Sequence, residues 1–576
     1  MNHQHLLKTI ALFQVLQATS LFAQVFDEKF EYWPQDLKIN GTVLIVNQIK
    51  DTDFLRQLTG DEFLSSPQPR DESSPEEPKL KVGTVLTWKG LSPAQCQAIL
   101  QQWGLAQNTR FFNIGIKADW KLIQSWLSRH PFVLLAPGVN AIPQKVPELD
   151  RLKTVLQQHL ERKGVLIAAG PSAQLLGQQA VMSDPENGRL RPGLNVVPDS
   201  LINLQLNSSE VRFGDCLKPN LALVGIDIHP NSCLVLRGRK LFTHRFGQAT
   251  LMLPKTATKP RLTQLIGQSL KRSSRKELPT NVIDLTQWRR MALERNLPPF
   301  PPKNPVPPRV KNGTLVIVGG GGMPKGLMKR FVDFAGGKEQ AKLVFVPCAE
   351  SDEIQGIPGT VQYWKKMGIR SATFIHTKDR MKANADPQLL SKLEEATGIW
   401  FGGGRQWNFS DSYYGTTAHK LMKLVLQRGG VIGGSSAGAS IQARYLARAT
   451  PLENFRIMAP GYERGGLGFI SGVAIDQHFT QRSRQKDMKE LMQTHPQLLG
   501  IGIDEATAII VRKSRANVVG QGQVYFYDCR QSSGVNPKGI GDAPNVVTLK
   551  TGSTFDLMER KVIVDQKSLT PRPDKF

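Results

Sequence analysis

Four landmarks occur twice along this chain, in the same order and at similar spacing, and they constrain its fold more than any other feature. Gly41-Thr-Val-Leu-Ile-Val46 matches Gly313-Thr-Leu-Val-Ile-Val318, each an apolar, β-branched run suited to a strand buried on both faces. Val133-Leu-Leu-Ala-Pro-Gly-Val-Asn140 matches Ile399-Trp-Phe-Gly-Gly-Gly-Arg-Gln406. Glu161-Arg-Lys-Gly-Val-Leu-Ile-Ala-Ala-Gly-Pro-Ser172 parallels Gln427-Arg-Gly-Gly-Val-Ile-Gly-Gly-Ser-Ser436, once a short insertion is allowed in the first copy. Val224-Gly-Ile-Asp-Ile228 matches Ile501-Gly-Ile-Asp-Glu505. Glycine-ended strands common to α/β domains account for one or two such matches, but not for the order of all four.

Apolar runs alternate with helical patterns, which is βαβ rhythm. The expected fold is α/β: two related domains, each a mainly parallel sheet with helices on both faces, the second with a C-terminal β extension. The expected boundaries are a leader at 1–24, a first domain at 25–270, a helical and Pro-rich linker at 271–308 (ending PPFPPKNPVPP) and a second domain at 309–576. The 576 residues allow more than one core. Residues 1–24 resemble a secretory signal peptide, with His3, His5 and Lys8 ahead of an apolar stretch, although Gln14 and Gln17 also suit a plain helix. An exported protein is therefore expected. No later stretch approaches the ~18 apolar residues of a membrane span.

The net charge of +26 favours anionic partners. Lys and Arg are scattered without a basic block, however, which argues against nucleic acid. Five cysteines without CxxC spacing offer no metal framework. Cys216 and Cys233 suit either a disulfide or buried thiols.

Chemistry concentrates in Val431-Ile-Gly-Gly-Ser-Ser-Ala-Gly-Ala-Ser440, which reads as strand, glycine-pinched turn and helix start, with Ser436 at the apex. Gly434 and Gly438 let the chain turn sharply enough to expose the hydroxyl, and the helix starting at Ala437 offers N–H groups to an oxyanion. His478, in Asp476-Gln-His-Phe479, follows an apolar run at the carboxyl end of an expected strand, the edge where such sheets bind ligands. Glu505 stands at the same kind of edge and can orient an imidazole, or merely cap a helix. The first copy differs at these points. With Ser172 opposite Ser436, the second elbow glycine becomes Gln174, Leu201 replaces His478 and Ile228 replaces Glu505, so 25–270 is expected to be catalytically silent.

Phe401-Gly-Gly-Gly-Arg-Gln406, the Ser436 elbow, Asp476-Gln-His-Phe-Thr-Gln-Arg482 and Gly502-Ile-Asp-Glu505 together resemble the cyanophycinase and peptidase E family of serine peptidases, over about residues 309–560. The resemblance implies a fold like class I glutamine amidotransferases and a Ser436–His478–Glu505 triad, with an oxyanion held by N–H groups of Ala437 and Gly404. It also implies cleavage of β-aspartyl-arginine peptides or polymer, with Gln406, Asp476, Gln477, Arg482 and Arg484 gripping substrate. The arginines would meet carboxylates and Asp476 a guanidinium. No cofactor or metal is implied. An intramolecular pseudo-dimer of the two copies, or a homo-oligomer, is the expected assembly. Asp487, where another arginine is expected, and Arg405, where a small or acidic residue is commoner, depart from the family pattern. The glycines 319–322 lack P-loop spacing and are expected only to open the first helix near the site.

Overall fold

The computed structural model describes residues 37, 39–47, 83–87, 92–103, 108–114, 117–136, 146–181, 190–205, 213–243, 247–267, 282–348, 354–452, 456–530 and 544–563. The expected leader at 1–24 lies outside the described residues. The fold is mixed α/β with several sheets, in two compact units, Asp36–Pro298 and Pro299–Phe576.

The first unit opens with β1 (Ile39–Asn47), β2 (Gly83–Thr87), β3 (Arg110–Asn113), β4 (Phe132–Leu135) and β5 (Val165–Ala169). These lie parallel in the order β3-β2-β4-β5-β1. There follow β6 (Gln179–Val181), β7 (Leu190–Pro192), β8 (Ser200–Leu204), β9 (Val224–Ile228), β10 (Ser232–Gly238), β11 (Lys240–Thr243), β12 (Ala249–Leu253), β13 (Leu262–Ile266) and β14 (Ile283–Asp284). Of these, β10, β11 and β14 extend the sheet beyond β1 as antiparallel strands, and the others form a second sheet, β7-β6-β8-β9-β12-β13.

The second unit repeats that plan. Its strands are β15 (Val310–Val318), β16 (Lys342–Val346), β17 (Ser371–Phe374), β18 (Gly398–Phe401), β19 (Val431–Ser435), β20 (Ala443–Tyr445) and β21 (Ile470–Gln477). After them come β22 (Leu499–Ile503), β23 (Thr507–Lys513), β24 (Arg515–Gly520), β25 (Val524–Asp528), β26 (Asn545–Leu549), β27 (Thr554–Asp556) and β28 (Lys561–Ile563). The large sheet runs β17-β16-β18-β19-β15-β23-β24-β27-β28 and the small one β20-β21-β22-β25-β26. The order β17-β16-β18-β19-β15-β23-β24 thus matches β3-β2-β4-β5-β1-β10-β11.

Burial on both faces explains the apolar character of β15. Leu315 and Ile317 join one core, which includes Leu421 and Val425 of the helix Thr417–Gln427 and Ile475 and Ile501 of the small sheet. Val316 and Val318 face the other, under Phe331 of the helix Leu327–Phe334 and Trp364 of the helix Gly359–Lys366. Two sequence expectations need correction. The run ending at Ile503 leaves the main sheet for the small one, and the C-terminal β extension divides between the two sheets, because β25 pairs with β22 while β24 pairs with β23. The segment expected as a linker is also largely absorbed. Leu285, Trp288 and Ala292 are buried in the first unit's core, whereas Phe300 stacks on Tyr445 in the second at 6.0 Å, with the guanidinium groups of Arg444 and Arg464 each 4.9 Å from its ring.

Phe331 meets the Trp400 ring edge-on at 5.0 Å and lies parallel to Trp364 at 6.2 Å. Phe331→Ala is expected to destabilise the second unit by about 3–5 kcal/mol. Urea unfolding followed by tryptophan fluorescence measures the loss, and a shift of a few tenths would contradict this packing.

Candidate active site

The carboxyl ends of β18, β19 and β15 lie side by side, and the site is assembled there with the ends of β21 and β22. Ser436 follows β19 with φ 58° and ψ −116°, ahead of the short helix Ala437–Ser440. Its N–H donates to Val318 O at 3.0 Å and its carbonyl accepts from Ala439 N at 2.9 Å. The glycines around it permit a very close crossing. A Cβ on Gly434 would sit 2.2 Å from Gly438 O, and one on Gly438 would sit 2.2 Å from Phe401 O. The loop 402–404 therefore lies against the elbow, with a Cβ on Gly403 falling 3.6 Å from Ser436 Cβ.

His478 is the first residue past β21, at φ 48°, and donates its N–H to Gly319 O at 2.8 Å. Its Nε2 is 2.9 Å from Ser436 Oγ and its Nδ1 is 2.5 Å from Glu505 Oε1. A neutral imidazole in this chain donates from Nδ1 to the carboxylate and accepts the seryl O–H at Nε2. Burial pushes the His478 pKa below its usual value; the hydrogen bond that its ring donates to Glu505 opposes that, and the charges of Arg482 and Arg484 add to the lowering. The imidazole is thus held in the base form near neutral pH.

The glycines at 319–321, expected only to open a helix, are the seat of this arrangement. Gly319 N donates to Thr507 O at 2.9 Å, and Ala506 N donates to Gly320 O at the same distance. At φ 99°, a Cβ on Gly320 would sit 2.4 Å from His478 Cε1, and at φ 63° one on Gly321 would sit 2.3 Å from Glu505 Cδ. Asp504 adds a tie. Its Oδ1 accepts from Thr480 N (3.1 Å) and Oγ1 (2.7 Å), and its Oδ2 accepts from Gln523 N (3.1 Å), which binds the turn after His478 to the turn bearing Glu505.

The residues expected to grip substrate behave differently. Only Arg482 is exposed; Gln406, Asp476, Gln477 and Arg484 are buried. Gln406 Nε2 donates to the carbonyls of Ala447 (3.1 Å) and Arg448 (2.5 Å). Asp476 does meet a guanidinium, but it is the protein's own. Arg448 Nε lies 3.1 and 2.9 Å from the two carboxylate oxygens, and Arg484 Nη1 lies 2.9 Å from Oδ1. Asp487 holds the other end of Arg448 at 2.6 Å. Set in Leu446-Ala-Arg-Ala-Thr450, Arg448 carried no sequence signal; the glycine run did, in its length.

In the first unit, strand register corrects the expected equivalence of Ser172 and Ser436. Thr42 pairs with Val165 and Val46 with Ala169, just as Thr314 pairs with Val431 and Val318 with Ser435, so no insertion exists and Gly170 (φ 57°) occupies the elbow. Ser172 falls opposite Gly438 and donates to Ala136 O at 2.5 Å. The last landmark shifts as well. Leu204 pairs with Ile228 as Gln477 does with Ile503, which places Gln205 opposite His478, and Asn231 (φ 55°) matches Ala506 (φ 51°), which places Pro230 opposite Glu505. Asn47, opposite Gly319, donates its side-chain amide to Ile228 O at 2.8 Å. All five cysteines are free thiols, Cys233 with its pKa pushed up to about 12 by burial.

Residues 314–519 match the sequence model of peptidase family S51. Over that stretch the second unit is similar to peptidase family S51. The chain, a peptidase of the serine hydrolase class, is 28% identical over 214 residues to a cyanophycinase of Geminocystis herdmanii, spanning 37% of this chain and 78% of that one. It is 28% identical over 274 residues to a cyanophycinase of Trichormus variabilis, spanning 45% and 89%. A crystal structure of a peptidase from an acI-B1 Actinobacterium covers 42% of this chain and 97% of its own at 21% identity, with a TM-score of 0.33. Among the described residues, no helix is long and apolar enough to cross a membrane, and no group of three or more His, Cys, Asp or Glu is placed to hold a metal. A cavity of about 280 Å³ lined by Phe334, Thr397, Arg428 and Gly430 precedes β18 and β19, at the sheet edge opposite Ser436 and His478.

Two expectations follow. Gly320→Ala leaves the protein folded but displaces the imidazole, and it is expected to lower kcat/KM by about 100-fold or more; wild-type activity in a folded variant would contradict the steric account. Arg482→Gln removes a cation that disfavours the imidazolium, so the His478 pKa rises and the acid limb of the kcat/KM profile moves to higher pH. A limb unchanged or moved to lower pH would contradict the assignment.

Proposed function

We propose that the second unit hydrolyses peptide bonds formed by aspartyl residues, through an acyl-enzyme on Ser436. The carrying observation is the imidazole of His478 held between the Ser436 hydroxyl and the Glu505 carboxylate. His478 takes the seryl proton as Oγ attacks the carbonyl, and Glu505 keeps the imidazole in the right tautomer and stabilises the imidazolium. The tetrahedral oxyanion sits against the N–H groups of Ala437 and Gly404, at the start of the elbow helix and in the loop packed on it. His478 then protonates the leaving amine, and water, deprotonated by the same imidazole, releases the acid.

The reference substrate is the β-aspartyl-arginine linkage implied by the likeness to proteins named cyanophycinase. Short aspartyl or isoaspartyl dipeptides are the second reading, favoured by the internal saturation of Asp476. The fold resembling class I glutamine amidotransferases belongs to the same proposal. In it the first unit is catalytically silent, with Gly170, Gln205 and Pro230 at the three positions where the second unit has serine, histidine and glutamate. A non-catalytic binder of anionic polymers would leave the Ser436–His478–Glu505 chain without a purpose.

A fluorophosphonate probe is expected to label the full chain once, on Ser436, with labelling lost in Ser436→Ala and amine release from aspartyl peptides lost with it. Folded protein that takes no label, or label that persists in Ser436→Ala, would overturn the proposal.

A further inference from the structure

Beside the triad, four charged side chains form a closed array. Asp476, two residues before His478, is fully buried and has both oxygens engaged by Arg448 and Arg484. Arg448, whose side chain is 3% exposed, is pinned at its far end by Asp487, whose side chain is 38% exposed. Arg484 Nη1 also donates to Gln477 O at 2.6 Å, on the residue next to the imidazole. Two cations and two anions cancel within this wall. Two exposed cations stand nearby. Arg482, on the turn after His478, and Arg405, next to Gly404 in the loop that abuts Ser436, are both exposed, and among the described residues neither is held in an ion pair. The Arg405 guanidinium lies 5.6 Å from the Trp407 ring, a contact that leaves its N–H edge available.

We propose that Arg448 occupies the place a substrate guanidinium would take on Asp476, and that this peptidase therefore selects aspartyl peptides flanked by carboxylates over those bearing arginine. The inference rests on the hydrolase reading above and deepens it by naming the substrate class. Three observations converge on it. A substrate arginine reaching Asp476 would have to expel Arg448, leaving a buried guanidinium with only part of its ion pairing, a strongly unfavourable exchange. Asp487 stands where the family pattern has arginine, and its carboxylate is taken up by Arg448 at 2.6 Å, so the departure and the internal pair belong together. Arg405 follows the loop packed on the Ser436 elbow, Arg482 lies four residues past His478, whose ring meets Ser436, and each offers the planar fork that pairs with a carboxylate. The bond cleaved and the proton transfers are those already described; only the flanking groups recognised differ.

The test is a panel of β-aspartyl and α-aspartyl peptides whose neighbouring residue is Asp, Glu, Gln or Arg, assayed with the full-length protein at low salt and at high salt. Wild-type kcat/KM is expected to favour acidic over arginyl neighbours by about tenfold or more, with the preference shrinking in high salt. The double variant Arg405→Gln/Arg482→Gln, at two exposed positions, is expected to lose most of that preference. Arg448→Ala/Asp487→Ala is expected to shift the ratio toward arginyl peptides by about tenfold. If that pair fails to fold, the wild-type panel and the exposed-arginine variants still decide the matter. Arginyl peptides preferred by the wild type would overturn the inference while leaving the hydrolase reading intact. Enzyme that takes the fluorophosphonate label but cleaves no acidic member of the panel would overturn it too. Protein that neither cleaves nor takes the label would remove the hydrolase reading and this inference together.

Discussion

His478 stands at a left-handed backbone position, with a hydroxyl 2.9 Å from one ring nitrogen and a carboxylate 2.5 Å from the other, and it fits only because the chain beneath it has no side chains. The glycines at 319–321 hold the histidine turn and the glutamate turn by backbone hydrogen bonds while leaving room for both side chains. The same condition recurs at the elbow, where Gly434, Gly438 and the 402–404 loop cross almost backbone on backbone. The site is defined as much by the atoms that are missing as by those that react. Burial then sets the electrostatics: desolvation keeps the imidazole neutral, and the nearby arginines reinforce it.

The two units differ most at the positions around the elbow. Strand order around the central parallel strands is the same in both. In the first unit, however, Gly170 replaces the seryl position, and Asn47 sends an amide into the region that Gly319 leaves bare. Ser172, opposite Gly438, hydrogen-bonds the loop that in the second unit faces the elbow as bare backbone. These differences are compatible with an intact core, since Val43, Ile45, Leu166 and Ile202 stay fully or almost fully buried. The same strand scaffold is therefore compatible with a filled elbow as well as an open one.

Much of this was legible in the sequence because it depends on local pattern. Strands β1, β15 and β19 announce themselves as apolar runs, the elbow as clustered small residues, and Ser436, His478 and Glu505 as polar residues placed just past strand ends. Register was not legible, because a landmark such as Gly-Ile-Asp occurs in both copies at positions that differ by two residues in the sheets. Without the ladder pairings, Ser172 and Leu201 looked like counterparts of Ser436 and His478. Long-range ion pairing was equally hidden: nothing near Arg448 reveals that it will meet Asp476 and Asp487, so Asp476 read as a substrate ligand when it serves as an internal anchor. The path of residues 282–308 was misjudged for a related reason. Proline density suggested a free linker, while Trp288 and Phe300 each had a packing partner far along the chain.

The central claim is that Ser436 and His478 act as one unit, and a double-mutant cycle on kcat/KM for a cleaved aspartyl peptide tests it most directly. Ser436→Ala and His478→Ala are each predicted to remove nearly all acceleration, and the combined variant is predicted to lose no more than the worse single variant. Losses that add, with the double variant falling by the product of the two single effects, would mean that the hydroxyl and the imidazole work independently and would contradict the account.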